Sequence, residues 1–98
     1  MNTYQHGGAP RFEWDERKAR GNFAKHGISF EEAVDVFDDP LARFYDAEEI
    51  DGELRSAVIG FSSRFNLLLV VHTERRARIR IISARLATAH ERRRYQGR

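Results

Sequence analysis

Leu67-Leu68-Leu69-Val70-Val71-His72-Thr73, followed after a polar turn by Ala77-Arg78-Ile79-Arg80-Ile81-Ile82-Ser83-Ala84, decides the fold. Five consecutive apolar residues bury both parities of a strand, so residues 65–73 read as a central strand covered on two faces. Ile79, Ile81 and Ile82 make residues 77–84 its nearly as buried neighbour. Upstream, residues 41–46 and 53–61 keep the strand period. The links Asp51-Gly52 and Ser62-Ser63-Arg64 carry turn chemistry and are short, which implies antiparallel neighbours.

Further towards the N-terminus the period becomes helical. Phe30, Ala33, Val34 and Phe37 fall at i, i+3, i+4 and i+7, and Ser29 with Glu32 forms a capping box that opens this helix. Asp38-Asp39-Pro40 ends it, because the residue before a proline is pushed out of the helical region. An earlier helix over residues 16–25 is expected after the N-cap Asp15, with Ala19 and Phe23 on its inner face. Lys25 and His26 suit the negative end of that helix, and Gly27 can supply its left-handed C-cap. Arg11-Phe12-Glu13-Trp14 alternates as a short strand, and Thr88 with Glu91 opens a last short helix over residues 89–95. Trp14, Phe23, Phe30 and Phe37 are expected in the core.

The expected fold class is therefore α+β: a mostly antiparallel sheet of four to five strands, two N-terminal helices packed on it and a short C-terminal helix. Residues 1–10, with Gly7, Gly8 and Pro10 and no periodicity, read as a loose tail, and residues 11–98 as a single domain.

Composition narrows the function. With 41% apolar and 33% charged residues the chain has the material of a folded domain rather than a disordered one. The absence of cysteine excludes disulfides, thiolate metal sites and a catalytic thiol, and suits a reducing cytosol. No apolar run approaches the roughly 20 residues that span a bilayer, so a cytoplasmic protein is expected. Charge is segregated: residues 74–98 hold nine arginines against two glutamates, a net of +7, which leaves −5 for residues 1–73. Such a cationic end suits a polyanion; the competing reading is neutralisation by the acidic stretch over residues 31–53.

Phe12-Glu13-Trp14-Asp15, Lys25-His26-Gly27, Ser29-Phe30-Glu31-Glu32-Ala33 with Val36-Phe37-Asp38-Asp39-Pro40, Ile59-Gly60, and Ile81-Ile82-Ser83-Ala84-Arg85 with Glu91-Arg92 and Tyr95 together resemble the BrnT toxins. The resemblance implies a RelE-like fold and a cytoplasmic ribonuclease that arrests translation and is silenced by a BrnA-like antitoxin. It also implies DNA contact only through the antitoxin complex. The exposed strand edges expected of an open sheet offer a place for partner docking or for a homodimer within that complex.

Metal-free RNA cleavage needs a base for the 2′-hydroxyl, an acid for the leaving 5′-oxygen and cations for the charge developing on phosphorus. No cofactor or metal is expected, since no element carries Asp, Glu and His at ligand spacing, and Asp38-Asp39 reads as a solvated helix end. Arg64, Arg75, Arg78, Arg80 and Arg85 frame the last strand and are expected to converge on a phosphate. By parity Arg78 and Arg80 share a face with Ile82, and Arg85 that of Ile79 and Ile81, so a bulge is required before one phosphate meets all three. The resemblance favours Arg85 and Tyr95 as catalytic; a salt bridge for Arg85 and helix packing for Tyr95 are the alternatives. His72 and Glu74 alternate onto one face and could serve as acid and base, against the reading of His72 as a core residue. His26 is a further candidate through the Lys-His-Gly block, and Lys25 and Arg92 join Arg75, Arg78 and Arg80 as RNA-binding candidates. A non-catalytic nucleic-acid- or partner-binding module of a repressor complex is the competing function.

Overall fold

The computed structural model describes residues 2–5 and 11–97. In chain order the elements are β1 (Asn2–Gln5), β2 (Arg11–Trp14), α1 (Glu16–His26), α2 (Phe30–Asp35) with a 3₁₀ turn (Val36–Asp38), β3 (Arg43–Ile50), β4 (Glu53–Phe61), β5 (Leu67–Arg75), β6 (Arg78–Leu86) and α3 (Ala89–Gln96). The strands form one sheet in the order β1-β2-β6-β5-β4-β3. The three hairpins β3–β4, β4–β5 and β5–β6 are antiparallel, as their short links require, and β2 joins β6 in parallel. Among the described residues the sheet therefore has six strands, not four to five. Asn2–Gln5 belong to it, pairing through their backbone with the outer edge of β2, a contact that needs no side-chain period. The remainder of the expected tail, including Gly7, Gly8 and Pro10, lies outside the described residues.

Local signals set the helix boundaries. Asp15 accepts from the backbone N–H groups of Arg17 and Lys18 at 2.8 and 3.3 Å, and Gly27, at φ 73°, closes α1 with its N–H on the Phe23 carbonyl. Ser29 accepts from the Glu32 N–H at 3.0 Å. The reciprocal half of that expected capping box is absent: Glu32, almost fully buried, instead accepts from Ser62 Oγ and Asn66 Nδ2 at 2.7 and 2.8 Å. It ties α2 to the β4–β5 turn. The 3₁₀ turn advances the chain, so Val36 is fully buried and Phe37 only partly so.

One face of the sheet is covered by α1 and α2 over Phe12, Trp14, Val58, Leu68, Val70, Ile81 and Ala84. Phe30 and Trp14 meet edge to face there at 5.9 Å. On α1 the expected inward pair is corrected: Ala19 is buried, but Phe23 is 57% exposed and Asn22 takes the inner position. The cause is backbone pairing. Strand β2 accompanies β6 over Arg78–Arg80, so among the described residues Ala84 has no strand partner on that side. The Asn22 amide supplies one, donating to the Ala84 carbonyl at 2.8 Å and the Ile28 carbonyl at 3.0 Å, and accepting the Ala84 N–H at 3.1 Å. The opposite face carries Ile59, Leu67, Leu69, Phe61 and Tyr45, and α3 covers part of it through Tyr95. Among the described residues no helix is long and apolar enough to cross a membrane.

Candidate functional site

Pairing of β6 with β5 steps from Ile81 opposite His72 to Ser83 opposite Val71, so Ile82 is an inserted residue. A bulge of this kind reverses side-chain parity beyond it. Arg85 is thereby turned onto the α3 face of the sheet, the face of Arg78 and Arg80, and the parity expected for it is corrected. The three side chains nevertheless do not converge. Arg80 lies opposite Thr73 and Arg85 opposite Leu69, four strand residues apart, which is about 13 Å at the usual rise. Each group has its own carboxylate.

At the α3 end, Arg85 Nη1 and Nη2 donate to the two carboxylate oxygens of Glu91 at 2.8 and 3.0 Å, and Nη1 also donates to the Leu86 carbonyl at 3.2 Å. Glu91 in turn accepts the Thr88 N–H at 2.9 Å, while Thr88 Oγ1 accepts the Glu91 N–H at 3.2 Å; here both halves of the capping box are present. Fixing the guanidinium this way leaves Nε–H and one Nη2–H, an adjacent pair of donors spaced for two oxygens of one phosphate. The hydrogen bonds from Arg85 hold the Glu91 carboxyl below its ordinary range against the opposing effect of burial, and Glu91 raises Arg85 in return.

Tyr95 is buried. Its hydroxyl donates to Asp39 Oδ2 at 2.7 Å and its ring meets Phe61 edge to face at 5.5 Å. Asp39 also accepts the Phe61 N–H at 2.8 Å and, in an Asx turn, the Leu41 N–H at 2.9 Å. The expected solvated helix end is corrected for this residue: Asp39 anchors α3 to the end of β4. Arg43 Nη1 donates to the Arg94 carbonyl at 2.9 Å, and the Arg94 guanidinium lies 4.3 Å above the Tyr45 ring. Together these contacts fix the helix that carries Glu91.

At the other end, Arg80 Nε and Arg78 Nη1 donate to Glu13 at 3.0 and 3.4 Å. Glu13 is 7% exposed; burial pushes its pKa up, but the hydrogen bonds from Arg80 and Arg78 outweigh this and bring it below its usual value. Arg75 is exposed on the same hairpin.

The other candidates are dispersed. Arg64 is exposed in the β4–β5 turn, Arg92 on α3 and Lys25 in the last turn of α1, where His26 is half-buried. His72 and Glu74 do share a face, but it is the α1–α2 face and not that of the arginines. His72 is 3% exposed, edge-on to Phe37 and Phe44 with ring centroids 5.0 and 6.4 Å away, and its Nδ1 is 3.4 Å from the Val70 carbonyl. It is a core residue. Burial lowers its pKa below the usual 6.5, so the unfolded chain takes up a proton that the fold refuses. Stability is accordingly complete above about pH 6.5 and declines as the pH falls through and below that value. The melting temperature is expected to fall between about pH 7 and 5, and His72→Phe to flatten that part of the curve; an unchanged slope in the variant would exclude His72 as its source.

Among the described residues no group of three His, Cys, Asp or Glu side chains could hold a metal ion. Asp39, Glu13 and Asn22 were not singled out as site or core residues by the sequence; of these only Asp39 carries a local signal, its position in Asp-Pro after a helix.

The family model for BrnT, the ribonuclease toxin of a type II toxin–antitoxin system, matches residues 14–91. The crystal structure of the Brucella abortus ribonuclease toxin BrnT is similar to this chain, with a TM-score of 0.62 and 25% sequence identity over 79% of this chain and 95% of that one. A search of curated protein sequences found no match. The resembling stretches of sequence, the architecture and the family match agree, and the chain belongs to the BrnT family of ribonuclease toxins of type II toxin–antitoxin systems.

Proposed function

We propose that this chain is a RelE-like endoribonuclease that cuts RNA without a metal, arrests translation in the cytoplasm and is held silent by a BrnA-like antitoxin. DNA is met only through the antitoxin complex, in which the toxin forms a homodimer. The observation that supports the chemistry is the pair of uncommitted N–H donors on Arg85, a side chain otherwise immobilised by Glu91 and Leu86. A scissile phosphate seated on that fork has its developing charge stabilised without reorganisation of the site. Glu91, ionised at neutral pH, is the adjacent carboxylate and accepts the 2′-hydroxyl proton as that oxygen attacks phosphorus; the bond from phosphorus to the 5′-oxygen breaks, leaving the 2′,3′-cyclic phosphate, and the departing 5′-oxygen takes its proton from water. Tyr95 contributes by holding α3 through Asp39. Arg64, Lys25, His26 and Arg92 contact the RNA at its margins.

A second reading is supported by the same ion pairs: Arg78, Arg80 and Arg85 each already have a carboxylate, as in a binding module without catalysis. The two readings differ in solution. The nuclease gives RNA fragments ending in 2′,3′-cyclic phosphate in the presence of EDTA, and its expression stops growth unless the antitoxin is co-expressed. The binding module gives steeply salt-dependent association and no fragments. Intact RNA at high protein concentration, with ribosomes present and absent, would exclude the nuclease.

A further inference from the structure

We infer that the Glu13 end of the sheet is a second phosphate site, which holds RNA away from the point of cleavage; its role in cleavage rests on the nuclease reading, its binding of RNA does not. Arg75, Arg76, Arg78 and Arg80 line a cleft of about 430 Å³ with Glu13 as the single acid. One carboxylate faces four guanidiniums. Among the described residues Glu13 engages only Arg78 and Arg80, and Arg75 and Arg76 have no ion pair.

Two further features are unfavourable in the free protein. Arg75 and Arg78 are direct cross-strand partners, an opposition that like charges disfavour. Arg76 and Ala77, the two residues of the turn, have φ of 50° and 65°, where hairpins usually place Asn-Gly because a Cβ is disfavoured. Strain of this kind is typical of ligand clamps. An anion in the cleft relieves the charge opposition and uses the strained turn, which holds Arg75, Arg76 and Arg78 around one point. A phosphodiester suits it because guanidinium forks match phosphate oxygens. RNA is favoured over an acidic protein because this cleft and the Arg85 fork lie on one face of the sheet, with Arg80, the cleft residue nearest the fork, about 13 Å from Arg85 along β6, so that one strand can span both.

The test is fluorescence anisotropy of the full-length protein with a 2′-O-methyl oligoribonucleotide, which binds but has no free 2′-hydroxyl for attack, across a salt series. R75A/R76A, at two exposed positions, is expected to lose about tenfold in affinity, and the slope of log K against log salt to become shallower by about 1.4, the value for two phosphate contacts on a single strand. Glu13→Gln is expected to bind more tightly. The exposed pair R17A/R20A on α1 serves as the control and leaves the slope unchanged. An unaltered slope in R75A/R76A, or an equal loss in R17A/R20A, overturns the site. Competition that succeeds with polyglutamate and fails with pyrophosphate overturns the RNA assignment in favour of an acidic protein. Because the probe cannot be cut, absence of nuclease activity leaves each of these outcomes readable.

Discussion

Asn22→Ala is expected to destabilise the protein by about 3 kcal/mol, because it leaves three buried backbone groups without partners at roughly 1–3 kcal/mol each, less what water entry recovers. For a domain of this size that is a fall in melting temperature of roughly 12–24 °C. The loss is unusual for a side chain on an eleven-residue surface helix, where most polar substitutions stay within about 0.5 kcal/mol. It follows from the place Asn22 occupies. Beyond Arg80, strand β6 has no strand neighbour on its β2 side among the described residues, and the Asn22 amide pairs with the N–H and C=O of Ala84 as a strand would. Asn22→Asp retains the acceptor for the Ala84 N–H but loses both donations, so it should recover little. Thermal denaturation by circular dichroism settles the matter: a fall of less than about 4 °C, equivalent to one ordinary hydrogen bond, would show that water replaces Asn22 at no great cost.

Most of the fold is legible in the sequence because its signals are local. The caps at Asp15, Gly27, Ser29 and Thr88 act within four residues, and the three consecutive hairpins follow from short turns between alternating segments. The bulge has a visible cue as well, since Ile81-Ile82 breaks the alternation of β6, but alternation alone does not say whether the extra residue is inserted or merely buried on both faces. What the sequence conceals are polar residues whose partners are remote. Glu13 looks like the solvent side of a short amphipathic strand until Arg78 and Arg80, more than sixty residues later, close over it. Asp39 looks like a helix stop until Tyr95 reaches it. The missing convergence of the arginines has the same origin: parity placed side chains on faces, whereas neutralisation by Glu13 and Glu91 depends on strand neighbours and helix docking that parity does not encode.

Arg85→Ala is expected to lower RNA cleavage by about 10²–10³-fold, the range for loss of one preorganised donor to a developing oxyanion, while the protein stays folded. Folding should survive because Glu91 keeps its Thr88 N–H donor and Tyr95 keeps Asp39, so α3 remains docked. Arg85→Lys restores a charge without the fork and should recover only a small part of the rate. Glu91→Gln separates two roles that the free structure superimposes. Glutamine preserves the capping box and a hydrogen bond to Arg85 but cannot take a proton. If Glu91 is the base, turnover falls although removal of its charge strengthens RNA binding; if Glu91 only neutralises Arg85, both rise. The pH dependence adds an independent sign. Since Arg85 holds the Glu91 carboxyl below its ordinary 4.5, the acid limb of the wild-type pH–rate profile should lie below that value. A folded Arg85→Ala variant that cleaves at the wild-type rate would move the reaction away from the Arg85 fork, and the Glu13 cleft, with its four arginines, would be the next cationic site on that face to test.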